Sequence, residues 1–128
     1  MNELINIEMP KPDLVIRQRE QVLKQGEVEI TPYFGFIDFH KITRDNGGVF
    51  FFYNEKNELL FVGKARKIRQ RIKKHFEDKV SPVKDHRNEN HKIEIYEIED
   101  AVEREIYETY AINEFKAKYN VEKVFFER

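Results

Sequence analysis

Apolar runs separated by short polar segments organise the middle of the chain. VFFFY at 49–53 follows two glycines, the polar turn NEKNE comes next, and LLFV at 59–62 is a second apolar run. Two β-branched or aromatic runs joined by a short polar turn are typical of a β-hairpin. HKIEIYEIE at 91–99 alternates apolar and polar positions and predicts a third strand.

Two segments carry helical patterns. Gly63 is expected to end the second strand, and ARKIRQRIKKHF at 65–76 spaces its apolar residues as one face of a helix. After a polar loop at 77–90, Asp100 and Glu103 stand at the spacing of a capping box. A long helix is therefore expected from there to about Lys118.

The ends of the chain are less regular. Residues 1–12 are expected to form a loose arm, and DLVIRQREQVLKQG at 13–26 predicts a short amphipathic helix that stops at Gly26. EVEI at 27–30 and the terminal VEKVFFER at 121–128 have the pattern of strands. Together these patterns predict an α+β fold: a small, mainly antiparallel three-stranded sheet flanked by helices, with an N-terminal helical extension.

Composition narrows the class of protein. A chain of 128 residues with 40% apolar and 37% charged residues fits one compact domain with a heavily solvated surface. Cysteine is absent, which excludes disulfide partners and thiolate metal sites. No apolar run approaches the roughly 20 residues of a membrane span, and MNELINIEMP lacks a signal pattern, so we expect a cytoplasmic protein without membrane contact.

Charge is distributed unevenly although the formal net charge is only −1. Residues 61–92 contain eleven Lys or Arg and four acids, whereas residues 93–114 contain eight acids and one Arg. A local positive potential can attract an anionic ligand even when the net charge of the protein is close to zero. Seven basic side chains follow the glycine turn without an intervening acid: Lys64, Arg66, Lys67, Arg69, Arg71, Lys73 and Lys74.

Helical spacing selects a subset of these residues. Lys64, Arg71 and His75 fall along one stripe beside the apolar line of Ile68 and Ile72. This stripe has two interpretations. It is either the solvated shoulder of an amphipathic helix, whose long side chains keep their charges in water, or the edge of a site for an anion.

The second predicted helix carries a carboxylate on its apolar side. Glu108 precedes Ala111, Ile112 and Phe115 by three, four and seven residues. An inward carboxylate requires a cation or hydrogen-bond donors, so Glu108 either pairs with a buried Arg or holds a hard divalent cation. The remaining histidines at positions 40, 86 and 91 lie in loop-like contexts, where solvated roles are expected.

The order of these pieces resembles the GIY-YIG nuclease domain found at the N-terminus of the incising excinuclease C subunit of nucleotide excision repair. Gly48-Val49-Phe50 and Phe61-Val62-Gly63 match its two signatures, GKARKIRQRI resembles the segment that follows, and EREIYETYAINEFKAKYNV resembles the last helix. The match covers roughly residues 47–122. We therefore divide the chain into an N-terminal extension, 1–46, and a GIY-YIG-like domain, 47–128.

The resemblance implies a function and a set of site residues. It implies a divalent-metal-dependent endonuclease that acts on DNA, with Mg²⁺ or Mn²⁺ held by Glu108. Arg71 would stabilise the scissile phosphate, Lys64 would assist, and His75 would take or relay a proton. The signature positions are Gly48, Phe50, Phe61, Gly63 and Asn120, and the seven basic residues named above would contact DNA.

The chain departs from the family at both signature tyrosines, which are Phe50 and Phe61 here. Phenylalanine keeps the ring but loses the hydroxyl, and the loss of a general base typically lowers a rate by about 10²–10⁴-fold. Tyr53 is not a substitute, because an odd offset from Phe50 places it on the other face of the strand. The alternative is therefore a weakened or inactive module that binds nucleic acid or a repair partner, and a protein-interaction domain without nucleic-acid contact is a third interpretation.

Overall fold

A four-stranded antiparallel sheet forms the centre of the computed structural model, which describes residues 7–128. The strands are β1 (Leu14–Arg17), β2 (Gly48–Tyr53), β3 (Leu59–Ala65) and β4 (Lys92–Glu97), in the spatial order β1-β4-β2-β3. The helices are α1 (Ile68–Glu77) and α2 (Ala101–Glu114). The α+β prediction is confirmed, but the sheet has four strands and not three. Within residues 7–128, neither helix is long and apolar enough to cross a membrane.

The predicted hairpin is formed by β2 and β3. Phe50 lies opposite Gly63 and Phe52 opposite Phe61 in the register of the pair. The strand continues two residues beyond Gly63, because Lys64 and Ala65 still pair with β2. For this reason α1 begins at Ile68, three residues later than predicted.

The sheet separates two apolar layers, as the period of two in a strand requires. Phe50, Phe52 and Phe61 pack against α1, whereas Val49 and Phe51 pack against α2. The two helices therefore cover opposite faces of the sheet. Since β3 is an edge strand, groups from both helices can meet beside it.

The predicted helix at 13–26 is wrong. Residues 14–17 instead form β1, with Leu14 opposite Ile95 and Ile16 opposite Ile93 of β4. Only a strand can satisfy the unpaired backbone groups along that edge of β4, and it also buries Ile16. Gly26, at φ +88°, belongs to a turn and does not stop a helix. Residues 27–30 form no strand.

The start of α2 was predicted correctly and its end was not. The Asp100 side chain accepts hydrogen bonds from the backbone N–H groups of Val102 and Glu103, at 2.8 and 3.0 Å. The helix ends at Glu114, before Lys118, and Phe115 is half exposed although it was predicted to share the apolar side. The terminal segment 121–128 also forms no strand.

The chain after α2 covers the edge of β3 instead. The backbone N–H groups of Lys118 and Tyr119 donate to the carbonyls of Leu59 and Leu60, at 3.1 and 2.8 Å. This segment leads the C-terminal residues to the place where α1, α2 and β3 approach one another.

Candidate active site

A cleft of about 480 Å³ lies beside the edge strand β3. Its walls come from β3, from α1 on one face of the sheet, from α2 on the other, and from the two loops that follow these helices. The cleft brings together seven of the residues singled out in the sequence: Phe61, Gly63, Lys64, Arg71, His75, Glu108 and Asn120.

Arg71 supplies an available positive charge to this cleft. Its side chain is exposed on α1, and within residues 7–128 the guanidinium forms no hydrogen bond or ion pair with the protein. A guanidinium presents donors in a planar fork that matches the oxygens of a phosphate. Arg71 can therefore bind an anionic group without breaking an existing contact.

Glu108 forms the opposite wall and is paired with a lysine that the sequence patterns did not identify. Glu108 is 8% exposed, and one of its carboxylate oxygens lies 2.7 Å from the ammonium of Lys123. Of the two sequence alternatives for Glu108, pairing with a buried Arg is wrong, because the partner is this Lys from the tail after α2. No local pattern marks Lys123, which lies at φ +60° in an irregular segment.

Lys123 also contacts Glu105, one helical turn before Glu108. A Glu105 carboxylate oxygen lies 2.8 Å from the Lys123 ammonium, and the ammonium of Lys64 contacts the same carboxylate. Hydrogen bonds from Lys123 and Lys64 lower the pKa of Glu105 to about 2. Burial opposes the charged form of Lys123, but its two carboxylate partners outweigh burial and raise its pKa. Charges thus alternate along this wall of the cleft.

The donor chemistry at Glu108 fits a hard divalent cation. Its carboxylate faces the cleft, and although Lys123 occupies one of its oxygens, the other forms no hydrogen bond within residues 7–128. Mg²⁺ is commonly held by one or two carboxylates together with waters and phosphate oxygens. Within residues 7–128 no group of three or more His, Asp or Glu side chains is arranged as a metal site, so the protein would contribute few ligands.

His75 lies between α1 and the loop that follows it. Its Nδ1 atom is 2.6 Å from the hydroxyl oxygen of Ser81, and its ring packs 4.8 Å from the centroid of Phe61. Burial, reinforced by the charge of Arg71, lowers the pKa of His75 to about 4, with Asp78 opposing the shift. His75 is therefore neutral at physiological pH.

The two signature rings occupy different depths. Phe50 is completely buried, while Phe61 lines the cleft. The para carbon of the Phe50 ring lies over Gly63, where an added Cβ would collide with the ring. At Gly48 a Cβ would collide with the Tyr96 carbonyl. Both glycines are required for close packing around the signature positions.

Asn120 fixes the edge strand. Its side-chain oxygen accepts from the Val62 N–H and its side-chain nitrogen donates to the Val62 carbonyl, both at 2.9 Å. The amide thus pairs with the backbone as a neighbouring strand would. Asn120 is buried, so this pairing is shielded from water.

The seven basic residues divide into groups. Arg66, Lys67 and Lys74 border a second groove of about 340 Å³, and this groove shares Arg71 with the cleft. Arg69 instead donates to the backbone carbonyls of the N-terminal segment, at 2.7 Å from Ile42. Lys73 lies over the ring of Tyr33, with its ammonium 5.8 Å from the ring centroid. Only part of the basic run therefore faces a common groove with the cleft.

Comparisons with known proteins place the chain among related sequences and folds. The model of the UvrC-like GIY-YIG domain matches residues 46–121. The uncharacterized protein YurQ of Bacillus subtilis (strain 168) is 59% identical over 123 residues, which cover 96% of this chain and 99% of YurQ.

Solved structures show the same fold. The GIY-YIG N-terminal endonuclease domain of UvrC from Thermotoga maritima, bound to its catalytic divalent cation, magnesium, has a TM-score of 0.58 and 23% identity. The match covers 66% of this chain and 97% of that domain. A second structure is a point mutant of the same domain with tyrosine replaced by phenylalanine, also bound to the catalytic divalent cation. It has a TM-score of 0.57 and 24% identity, and the match covers 66% of this chain and 96% of that domain.

Proposed function

Because this chain belongs to the family of UvrC-like GIY-YIG domains, we propose that it is a divalent-metal-dependent endonuclease that hydrolyses phosphodiester bonds in DNA. One observation carries the proposal: a single cleft joins the carboxylate of Glu108 to the guanidinium of Arg71, which forms no hydrogen bond or ion pair within residues 7–128. The guanidinium suits a phosphate and the carboxylate suits a hard cation. A cytoplasmic role in DNA repair, with a repair protein as partner, is part of the same proposal.

The positively charged side chains of the cleft would act on the phosphate. Arg71 binds the scissile phosphate and stabilises the negative charge that develops on its oxygens. Lys64 adds a second cation at the mouth of the cleft, where Glu105 orients its ammonium. Asn120 keeps β3 in register and so holds Phe61 and Lys64 in place.

Glu108 would hold Mg²⁺ or Mn²⁺. When bound, such a cation supplies Lewis-acid stabilisation of phosphate charge and lowers the pKa of a coordinated water. Cation binding by a domain of this fold does not depend on every tyrosine hydroxyl, since the Thermotoga maritima point mutant with phenylalanine in place of one tyrosine is bound to its catalytic divalent cation.

The second groove extends the binding surface beyond the cleft. Arg66, Lys67 and Lys74 line it, and Arg71 belongs to both sites. A DNA strand whose scissile phosphate lies on Arg71 would place a neighbouring phosphate in this groove. Contacts of this kind position the strand and carry no sequence information.

The proposal is tested by incubating the purified full chain with Mg²⁺ or Mn²⁺ and a panel of duplex, single-stranded, branched and damaged DNA. Cleavage should require the cation and should disappear in Glu108→Gln. Glu103→Gln, an exposed acid on the same helix, is the matched control and should cleave as the parent does. Absence of cleavage on every substrate with either cation would refute the proposal.

A module that binds DNA without cutting it is the second candidate. Two observations favour it: no hydroxyl stands at either signature position, and Lys123 already balances the charge of Glu108. For such a module, DNA binding would survive Glu108→Gln while the parent showed no cleavage. Phosphate contacts are strongest at low salt. If the protein had no affinity for DNA even under that condition, it would instead be a protein-interaction domain.

A further inference from the structure

The hydroxyl of Ser81 contacts the ring of His75 from a loop that is firmly held. Ser81 is 4% exposed, and its backbone N–H donates to Asp78 at 2.8 Å. The guanidinium of Arg87 bridges the backbone carbonyls of His75 and Asp78, at 2.8 Å from the first. The short contact of 2.6 Å between Ser81 Oγ and His75 Nδ1 is thus imposed by the loop.

The hydrogen-bond partners of the Ser81 hydroxyl decide which atom donates at this contact. The Ser81 oxygen accepts the backbone N–H of Val83 at 3.3 Å, so its own hydrogen still needs an acceptor. Within residues 7–128, His75 Nδ1 is the acceptor in reach. If Nδ1 carried the proton, the buried hydroxyl hydrogen would lack a protein partner, which is unfavourable for a buried donor. The hydroxyl therefore donates to Nδ1.

The surroundings of the ring keep it neutral. Phe50, Phe52 and Phe61 pack around it, and the cations Arg71 and Arg87 disfavour a further positive charge, while Asp78 is the opposing anion. A neutral imidazole has one N–H. Since Nδ1 is the acceptor, that hydrogen is on Nε2.

The Nε2 atom points to where a substrate can reach it. Within residues 7–128 it forms no hydrogen bond with the protein. In the same residues, the fully buried side-chain N and O atoms that lack a hydrogen-bond partner all belong to Asn90, so Nε2 of His75 is not a fully buried atom. Nε2 is therefore accessible to solvent, and His75 lines the cleft with Arg71.

We propose that Ser81 is a positioning residue that holds neutral His75 in its Nε2–H tautomer, so that His75 donates a hydrogen bond to the phosphate and does not act as a general base. The identity of the acceptor rests on the proposed function, whereas the tautomer follows from the protein alone. His75 then joins Arg71 and Lys64 as a donor toward negative charge. A substrate anion would be stabilised from three sides, and the base would have to come from elsewhere.

Nuclear magnetic resonance of the full chain with ¹⁵N-labelled histidine rings tests the tautomer at pH 7.5, with His75→Gln assigning the signals. Nδ1 of His75 should show the shift of an unprotonated nitrogen and Nε2 that of a protonated one. His86, whose Nδ1 contacts Glu89 at 2.7 Å, is an internal reference in the same spectrum. A protonated Nδ1 in the parent would overturn the proposal, whether or not the protein cleaves DNA.

Two variants test the role of Ser81. Ser81→Ala should shift the tautomer balance toward Nδ1–H, and Ser81→Thr, which keeps the hydroxyl, should restore it. If the parent cleaves DNA, Ser81→Ala should lower kcat/KM about tenfold, the worth of one hydrogen bond of about 1.4 kcal/mol, and Ser81→Thr should recover most of the loss. An unchanged tautomer in Ser81→Ala would contradict the positioning role. If the parent does not cleave, the proposed function fails while the ring shifts still decide the tautomer.

Discussion

The ammonium of Lys123 lies 2.7 Å from a carboxylate oxygen of Glu108, and it joins the tail after α2 to the wall of the cleft. The same ammonium contacts Glu105 at 2.8 Å. A divalent cation at Glu108 would lie next to this positive charge. The two cations therefore compete for one carboxylate.

Lys123→Met should accordingly raise the affinity of the protein for Mn²⁺. A hydrogen bond to a charged group is worth about 1.5–3 kcal/mol, so we expect a gain of about tenfold or more in affinity, measured by calorimetry without DNA. Lys118→Met, an exposed lysine in the same tail, should leave the affinity unchanged. Equal affinities of the parent and Lys123→Met would show that the pair does not oppose the cation.

Arg71→Ala should remove the principal phosphate contact. We expect the cleavage rate to fall by about 10²–10³-fold, the typical effect of removing one donor to developing charge. DNA affinity should also depend less on salt, with the slope of log K against log salt reduced by about 1. Lys56→Ala, which removes an exposed charge in the turn between β2 and β3, should change neither quantity. An unchanged salt slope in Arg71→Ala would place DNA elsewhere.

His75 should make the free energy of unfolding depend on pH. Its pKa is about 4 in the folded protein and about 6.5 in the unfolded chain, so the unfolded chain binds more protons between these values. Stability contributed by neutral His75 is therefore present above pH 6.5 and is lost as the pH falls to 4. Between pH 7 and 4.5 this loss amounts to about 2 kcal/mol.

Urea unfolding at these two pH values measures the effect. Asp38 and Glu105, whose pKa values are about 2, also lose stabilising charge in acid, so the informative quantity is the difference between the parent and His75→Gln. The variant should lose about 2 kcal/mol less than the parent between pH 7 and 4.5. Identical losses in both proteins would mean that folding does not lower the pKa of His75.

Phe61→Tyr should restore a hydroxyl to the cleft. Phe61 lines the cleft although it is 6% exposed, so the added hydroxyl lies beside the space that a substrate would occupy. If the missing hydroxyl limits catalysis, the cleavage rate should rise by about 10²-fold or more.

Phe50→Tyr is the comparison, because Phe50 is fully buried with its para carbon over Gly63. Its hydroxyl has to extend past Gly63, and we expect a loss of about 1–3 kcal/mol in stability from overpacking. Thermal unfolding measures this loss. Cleavage that appears only in the tyrosine variants would identify the parent as a disabled nuclease, and no change in Phe61→Tyr would show that this hydroxyl is dispensable.

Asn120→Ala should destabilise the edge of β3. It leaves the N–H and carbonyl of Val62 without their partners, and we expect a loss of about 2–3 kcal/mol in the free energy of unfolding. Asn88→Ala, at an exposed asparagine, should change stability by less than about 0.5 kcal/mol. A loss of activity without a loss of stability in Asn120→Ala would instead indicate a direct contact with substrate.

Local patterns in the amino-acid sequence predict the elements that depend on neighbouring residues. The hairpin of β2 and β3, the strand β4, the cap at Asp100 and the inward position of Glu108 all follow from periodicity and local hydrogen bonding. Such patterns act over one or two turns of chain, where the physical cause and its effect lie in the same stretch of residues.

The conformation of the chain at the edges of the sheet depends on contacts between distant segments. A weak helical pattern at 13–26 yielded to the free backbone groups of β4, and the tail after α2 brought Lys123 to Glu108 and Asn120 to Val62. Ser81, in a polar loop without a pattern, met His75 because Asp78 and Arg87 hold that loop. These contacts pair buried charges and hydrogen-bonding groups from distant segments. The pattern of residues within one segment does not show which distant group will be its partner.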